Sequence, residues 1–173
     1  MKRFAIALLG LLVSYAASAE NRSLLVVSEM IEINAPPAKV WNFVKPFDSV
    51  ARWHPAFSVT EIISGRDGKV GAIRALTLKD GPTFTEELLA VNEQSMAFTY
   101  CIVESPLPLD RYVSSMSVKP NGRGGSIVSW VGVFSRKNPR DNPPDAENDA
   151  AMVGLITGAY QAGLQNLKKV MEQ

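Results

Sequence analysis

The sequence predicts an α+β fold: one curved sheet of seven antiparallel strands wrapped around a long C-terminal helix, with two short helices after the first strand. Three observations predict it. Six strand-like segments between residues 58 and 135 are joined only by short stretches of turn-forming residues, which makes sequence neighbours pair antiparallel. A further alternating segment, SLLVVSEMIEI, ends at Ile33 and runs straight into a helix-starting stretch. Near the C-terminus, apolar residues recur every three or four positions over more than twenty residues.

The chain opens with Lys2 and Arg3, an apolar run from Phe4 to Val13, and Ala17-Ser18-Ala19. This is the pattern of a secretory signal peptide over residues 1–19, cleaved after Ala19, because the run is too short for a hydrocarbon core of about 30 Å. No cysteine stands there to accept a lipid, so no stable membrane anchor is expected. The mature chain, residues 20–173, then has 154 residues, the size of a single domain. It is expected in the periplasm or outside the cell.

After the first strand, NAPPAKVWNFV places Asn34 near a helix cap and prolines in the first turn, with Val40, Trp41 and Val44 as the buried stripe. PFDSVARWHPAFS holds a second short helix, about Asp48 to Trp53, stopped by Pro55. Strands follow near 58–64, 71–78, 83–92, 96–104, 112–120 and 125–135, separated by GRDG, KDGP, NEQS, SPLPLD and NGRGG. A Pro-rich polar linker, KNPRDNPPDAEND, leads to the long helix, about Ala146 to Met171. Val153, Ile156, Tyr160, Leu164, Leu167 and Met171 form its apolar stripe, the first four of them roofing a hollow between helix and sheet. Gly154, Gly158 and Gly163 are expected on or near the same inner face, where small residues leave room for close packing or a ligand.

Losing Lys2 and Arg3 leaves 16 basic against 17 acidic side chains, a formal charge near −1 without a basic stripe, so nucleic acid is not expected as a partner. Cys101 is the only cysteine and His54 the only histidine, which excludes an internal disulfide and leaves no ligand cluster for zinc, copper or haem. NGRGGS lacks the lysine and the following helix of a phosphate loop, and no cofactor is implied. His54 has no G-x-S-x-G to serve and reads as structural, near the mouth of the hollow. Cys101 falls on the face opposite Tyr100 and Ile102, away from the interior.

GAIRALTLKDGPTFTEELLA puts two charges on faces that the alternation marks as buried: Arg74 with Leu76 and Leu78, Glu86 with Phe84 and Leu88. A three-residue turn at Lys79–Gly81 sets Arg74 opposite Glu86, and a two-residue turn sets it opposite Glu87; the inward alternation favours the first. A buried ion pair of this kind is either structural or polar recognition inside a cavity. Tyr100 and Tyr112 are candidates for hydroxyl contacts, and Leu76, Phe84, Leu88, Trp53, Trp130 and Tyr160 for apolar and aromatic walls.

The element order, with VWNFVKPFDSVARWHPAF, EELLAVNEQSMAFTYCIVESPLPLDRYVSSMSVKP and AYQAGLQNLKKVME, resembles the helix-grip superfamily of START, Bet v 1 and polyketide-cyclase-like proteins (SRPBCC). The chain is most similar to the bacterial polyketide cyclase/dehydrase-like branch, which includes MxaD-type periplasmic accessory proteins and is similar to plant lachrymatory factor synthase and abscisic acid receptors. The resemblance implies an inward arginine, glutamate and tyrosine at Arg74, Glu86 and Tyr112, catalytic if the protein is an enzyme. It also implies two loops that gate the pocket, at KDGP and SPLPLD. Three functions stay open: a binding module for a small hydrophobic or amphiphilic molecule, a cyclase- or isomerase-like enzyme in which Glu86 moves a proton, and an accessory protein of a periplasmic dehydrogenase or its cytochrome.

Overall fold

The computed structural model describes residues 23–173, so the residues assigned above to a signal peptide lie outside it. The elements are β1 (Leu25–Ile33), α1 (Pro37–Val44), a 3-10 turn (Ser49–Arg52), β2 (Phe57–Ser64), β3 (Ile73–Leu78), β4 (Thr83–Asn92), β5 (Ala97–Glu104), β6 (Leu109–Pro120), β7 (Ser126–Arg136), a second 3-10 turn (Asp145–Glu147) and α2 (Asp149–Met171). The seven strands form one antiparallel sheet in the order β1-β7-β6-β5-β4-β3-β2, the architecture expected from the turn-length connections. Each strand end falls within three residues of its expected position.

Alternation decides the inner face. On β6, Tyr112, Ser114, Met116 and Val118 point inward, and on β7 Val128, Trp130 and Phe134 do so. β6 also carries a bulge: Asp110 pairs with Ser135 but Val113 with Val133, which leaves one extra residue on β6. Arg111 takes φ +53° there. The left-handed conformation is unfavourable for a residue with a Cβ, and it shifts the alternation so that Leu109 and Tyr112 are both buried.

α1 has the expected buried stripe of Val40, Trp41 and Val44, but Pro36 rather than Asn34 stands at its N-cap, without a side-chain cap. The Asn34 N–H instead donates to Glu172 Oε1 at 2.7 Å, tying β1 to the end of α2. α2 begins three residues later than expected, because residues 145–147 wind as a 3-10 turn and Asn148 caps the helix, accepting from the Ala151 N–H at 2.8 Å. Asp149 in the first turn and Lys168 and Lys169 in the last complement the helix dipole. Lys169 is exposed, and half-exposed Lys168 donates to the Glu32 carbonyl.

α2 lies mainly over β1 and β7, burying Met152, Ile156, Tyr160, Gly163, Leu164, Leu167 and Met171. Val153 is only half-buried, and Met152 takes the place expected for it. Of the three helix glycines, Gly163 alone faces inward. A Cβ there would sit 2.5 Å from the His54 ring and 3.0 Å from Trp130, so glycine is what lets the helix approach both. Gly154 and Gly158 are exposed with nothing within 4 Å, against the expectation, and nothing in the structure explains glycine at either position.

Candidate functional site

The β3–β4 hairpin turns through Lys79–Gly81, with the Leu78 N–H donating to the Pro82 carbonyl, and sets Arg74 opposite Glu86 and Leu76 opposite Phe84. Of the two turn lengths, the three-residue one is formed. Arg74 and Glu86 are each 4 % exposed. Arg74 Nε and Nη2 donate to Glu86 Oε2 at 2.8 and 2.6 Å, and Nη1 donates to the Phe47 carbonyl at 2.6 Å. The guanidinium lies 4.0 Å from the Phe47 ring centroid and 5.0 Å from that of Tyr100. Asp67 Oδ1 in turn accepts the Phe47 N–H at 2.7 Å and, at 3.3 Å, the Asp48 N–H, which belongs to the same peptide as the carbonyl that holds Arg74.

Both guanidinium donors converge on Oε2, and among the described residues none donates to Glu86 Oε1. Burial pushes the Glu86 carboxyl above the usual carboxylate range; the Arg74 charge and its hydrogen bonds oppose that shift.

Beside the pair runs a chain of hydroxyls. The Ser114 hydroxyl donates to the Val131 carbonyl at 2.9 Å, so it accepts from Tyr160 at 2.8 Å and from Trp130 Nε1 at 3.0 Å. Tyr160, having donated to Ser114, accepts from the Tyr112 hydroxyl at 2.5 Å. Trp130 Nε1 also donates to the Tyr100 hydroxyl at 3.0 Å, and its indole stacks on Tyr160 at 4.1 Å. Gly132 makes this possible, since a Cβ there would meet the Tyr160 hydroxyl. Burial raises the Tyr100 phenol to about 12 and lifts those of Tyr112 and Tyr160 as well, so all three remain neutral donors and acceptors.

These groups border a cavity of about 210 Å³ between α2 and the inner faces of β3 to β7. Arg74, Glu86, Tyr100, Tyr112, Leu76, Phe84, Trp130 and Tyr160 all line it. Two candidates do not. Leu88 is buried in the core beyond the cavity, and Trp53 packs edge-on against Trp130, 5.5 Å away, behind the wall. On α2, Leu155, Ile156, Ala159 and Tyr160 form the roof; Val153 and Leu164 do not reach it, and Leu164 turns toward β1. Of the two loops expected as gates, SPLPLD contributes Leu107 to the lining, beside exposed Leu155, whereas no residue of KDGP lines the cavity and Leu78, which does, is the last residue of β3.

The sequence reading missed His54 as part of the wall. Its Nε2 bonds the Ala159 carbonyl at 3.0 Å and its Nδ1 accepts from the Ala56 N–H at 3.2 Å, so both ring nitrogens are engaged. Ile102, which alternation sets on the inner face with Tyr100, lines the cavity as well. Among the described residues no three His, Cys, Asp or Glu side chains are grouped to hold a metal, and no helix is long and apolar enough to cross a membrane.

The chain is 33% identical over 104 residues to abscisic acid receptor PYL2 of Arabidopsis thaliana, and 28% identical over 131 residues to receptor PYL7 of the same plant. The matches cover 57% and 71% of this chain, and it spans only 54% and 60% of the receptors' lengths. Among solved structures it is similar to an uncharacterised Bacillus thuringiensis protein, with a TM-score of 0.75 at 27% identity over 86% of this chain and all of the other. It is also similar to the protein XoxI of Bacillus cereus, with a TM-score of 0.73 at 27% identity over 84% and 94% of the two chains. Residues 25–172, nearly everything the structure describes, match the model of the polyketide cyclase/dehydrase and lipid transport family, and the chain belongs to that family.

Proposed function

We propose that this chain is an exported binding protein that holds a small hydrophobic or amphiphilic molecule in the cavity between the sheet and α2. The cavity carries the reading: its walls are aliphatic and aromatic, and its polar groups are few and convergent, an ion pair and a row of hydroxyls. The lipid-transport part of the family description and the similarity to receptors named for a small molecule support it. Lys2 and Arg3, the apolar run and Ala17-Ser18-Ala19 support export.

One observation favours a catalytic reading beside it. A carboxyl raised by burial, next to a guanidinium able to stabilise developing negative charge, is suited to general base chemistry on a bound carbonyl compound. Native mass spectrometry of protein purified from its own cells tests the proposal. A mature chain beginning at Glu20 and carrying a small-molecule adduct is the expected result. A chain retaining residues 1–19 rejects export, and a protein without adduct that co-purifies with a dehydrogenase or cytochrome favours the accessory role. Glu86→Gln then separates binding from catalysis. In a binder it weakens the captured molecule by about 1.5–3 kcal/mol, whereas in an enzyme it lowers turnover about 100- to 10,000-fold with a smaller effect on binding.

A further inference from the structure

The charges inside the cavity constrain what enters it. Among the described residues, the only full charges on its wall are Arg74 and Glu86, which cancel each other, and His54 has both nitrogens committed in its neutral form. Arg74 already donates through Nε, Nη1 and Nη2. A ligand carboxylate would meet a guanidinium held by Glu86 and would set a second negative charge beside that carboxylate. An ammonium would meet the same pair from the other side, with Arg74 opposing it. Either charged group gives up its water without gaining an unpaired counter-charge, which is costly. A neutral hydroxyl faces no such cost. It donates to Glu86 Oε1, the carboxylate oxygen with no donor among the described residues, and its own oxygen accepts from the Tyr100 hydroxyl, which accepts from Trp130 and whose hydrogen is not already donated along the hydroxyl chain.

Volume sets the size. At an interior packing density of about 0.74, a cavity of 210 Å³ holds about 150 Å³ of van der Waals volume, roughly one six-membered ring with a short arm. We infer that the cavity selects small neutral alcohols, monocyclic or of similar bulk, with the hydroxyl donated to Glu86 Oε1, and that it discriminates against carboxylates and amines of the same shape. The inference rests on the binding reading above and names its ligand class.

The test uses four probes of one shape: benzyl alcohol, toluene, benzoate and benzylammonium. Affinity near pH 7 is read from the assigned Trp130 indole N–H resonance, whose nitrogen bonds Tyr100 and Ser114 at the site. Benzyl alcohol is expected to bind at least about tenfold more tightly than each of the other three, the factor of one hydrogen bond to a charged acceptor. Glu86→Gln leaves Arg74 unpaired, so benzoate is expected to gain at least about tenfold and to overtake benzyl alcohol. If that variant does not fold, Arg74→Met with Glu86→Leu removes both charges, and the advantage of benzyl alcohol over toluene is expected to vanish. Benzoate or benzylammonium binding the unmodified protein as tightly as benzyl alcohol overturns the selectivity and leaves cavity binding standing. So does an unchanged order of affinities in whichever variant folds. If no probe, toluene included, moves the resonance at millimolar concentration, the binding reading falls as well.

Discussion

His54 shows how one side chain couples the cavity to pH. Its ring closes the wall by donating from Nε2 to Ala159 and accepting at Nδ1 from Ala56, an arrangement that requires the neutral form. Burial is the largest influence on it and lowers the pKa; the Ala159 bond opposes, Arg74 adds to the lowering, and the result falls from 6.5 to about 4. A depressed folded-state value gives stability that is complete above the unfolded value of 6.5 and drains away as pH falls to about 4. The shift corresponds to about 3 kcal/mol. Urea unfolding between pH 7 and 4 should therefore show a steeper loss for the natural protein than for His54→Gln, whose amide still reaches Ala159. Equal slopes would mean that the folded ring titrates normally. That the lone histidine before Pro55 stands close to the hollow was legible in the sequence. Its place in the cavity wall was not, because Ala159, the residue that fixes it, lies 105 positions away.

Among the elements, α2 shows how far periodicity reaches. Its apolar stripe was legible, because Ile156, Tyr160, Leu164, Leu167 and Met171 follow the helical repeat and all are buried. The same repeat places its glycines apart rather than on the one inner face expected for them. Gly154 and Gly163 are nine residues apart, which at about 100° per residue puts them on opposite sides of the helix. Gly158→Ala should therefore stabilise the protein by about 0.5–1 kcal/mol, since it removes backbone entropy and meets no neighbour. Gly163→Ala should destabilise it by about 1–3 kcal/mol, because two rigid rings would have to move. Denaturant midpoints of the two variants check the opposite signs. The bulge at Arg111 had no readable signal, since bulges answer to the curvature of the whole sheet and arginine is not a left-handed residue by preference. The β3–β4 register, in contrast, was fixed locally by turn length and alternation, and with it the Arg74–Glu86 contact.

At the scale of the whole molecule, the order of elements made the container legible: consecutive antiparallel strands curl, one helix closes the concave side, and α2 rests on β1 and β7 rather than over the sheet's centre. The hollow left beside β3 to β6 is a departure from close packing, and interiors that depart from it forgo contact energy. If the hollow is kept for a ligand, filling it should raise stability and remove binding together. Ala159 is the position for this test. It lines the cavity from α2, its carbonyl bond to His54 does not depend on its side chain, and leucine is nearly as good a helix former as alanine. Ala159→Leu adds three carbons to the apolar space, at about 0.8 kcal/mol per buried carbon less the cost of fixing the rotamer, for a net gain of about 1–2 kcal/mol. For a domain of this size that is a rise of roughly 2–8 °C in Tm. Affinity for benzyl alcohol should fall below detection in the same variant. A lower Tm with binding retained would show that the leucine side chain does not enter the cavity. A higher Tm with binding retained would place the ligand elsewhere on the protein. A higher Tm with binding lost is the outcome that ties the open volume to function, because only a hollow maintained against stability responds to filling in both ways at once.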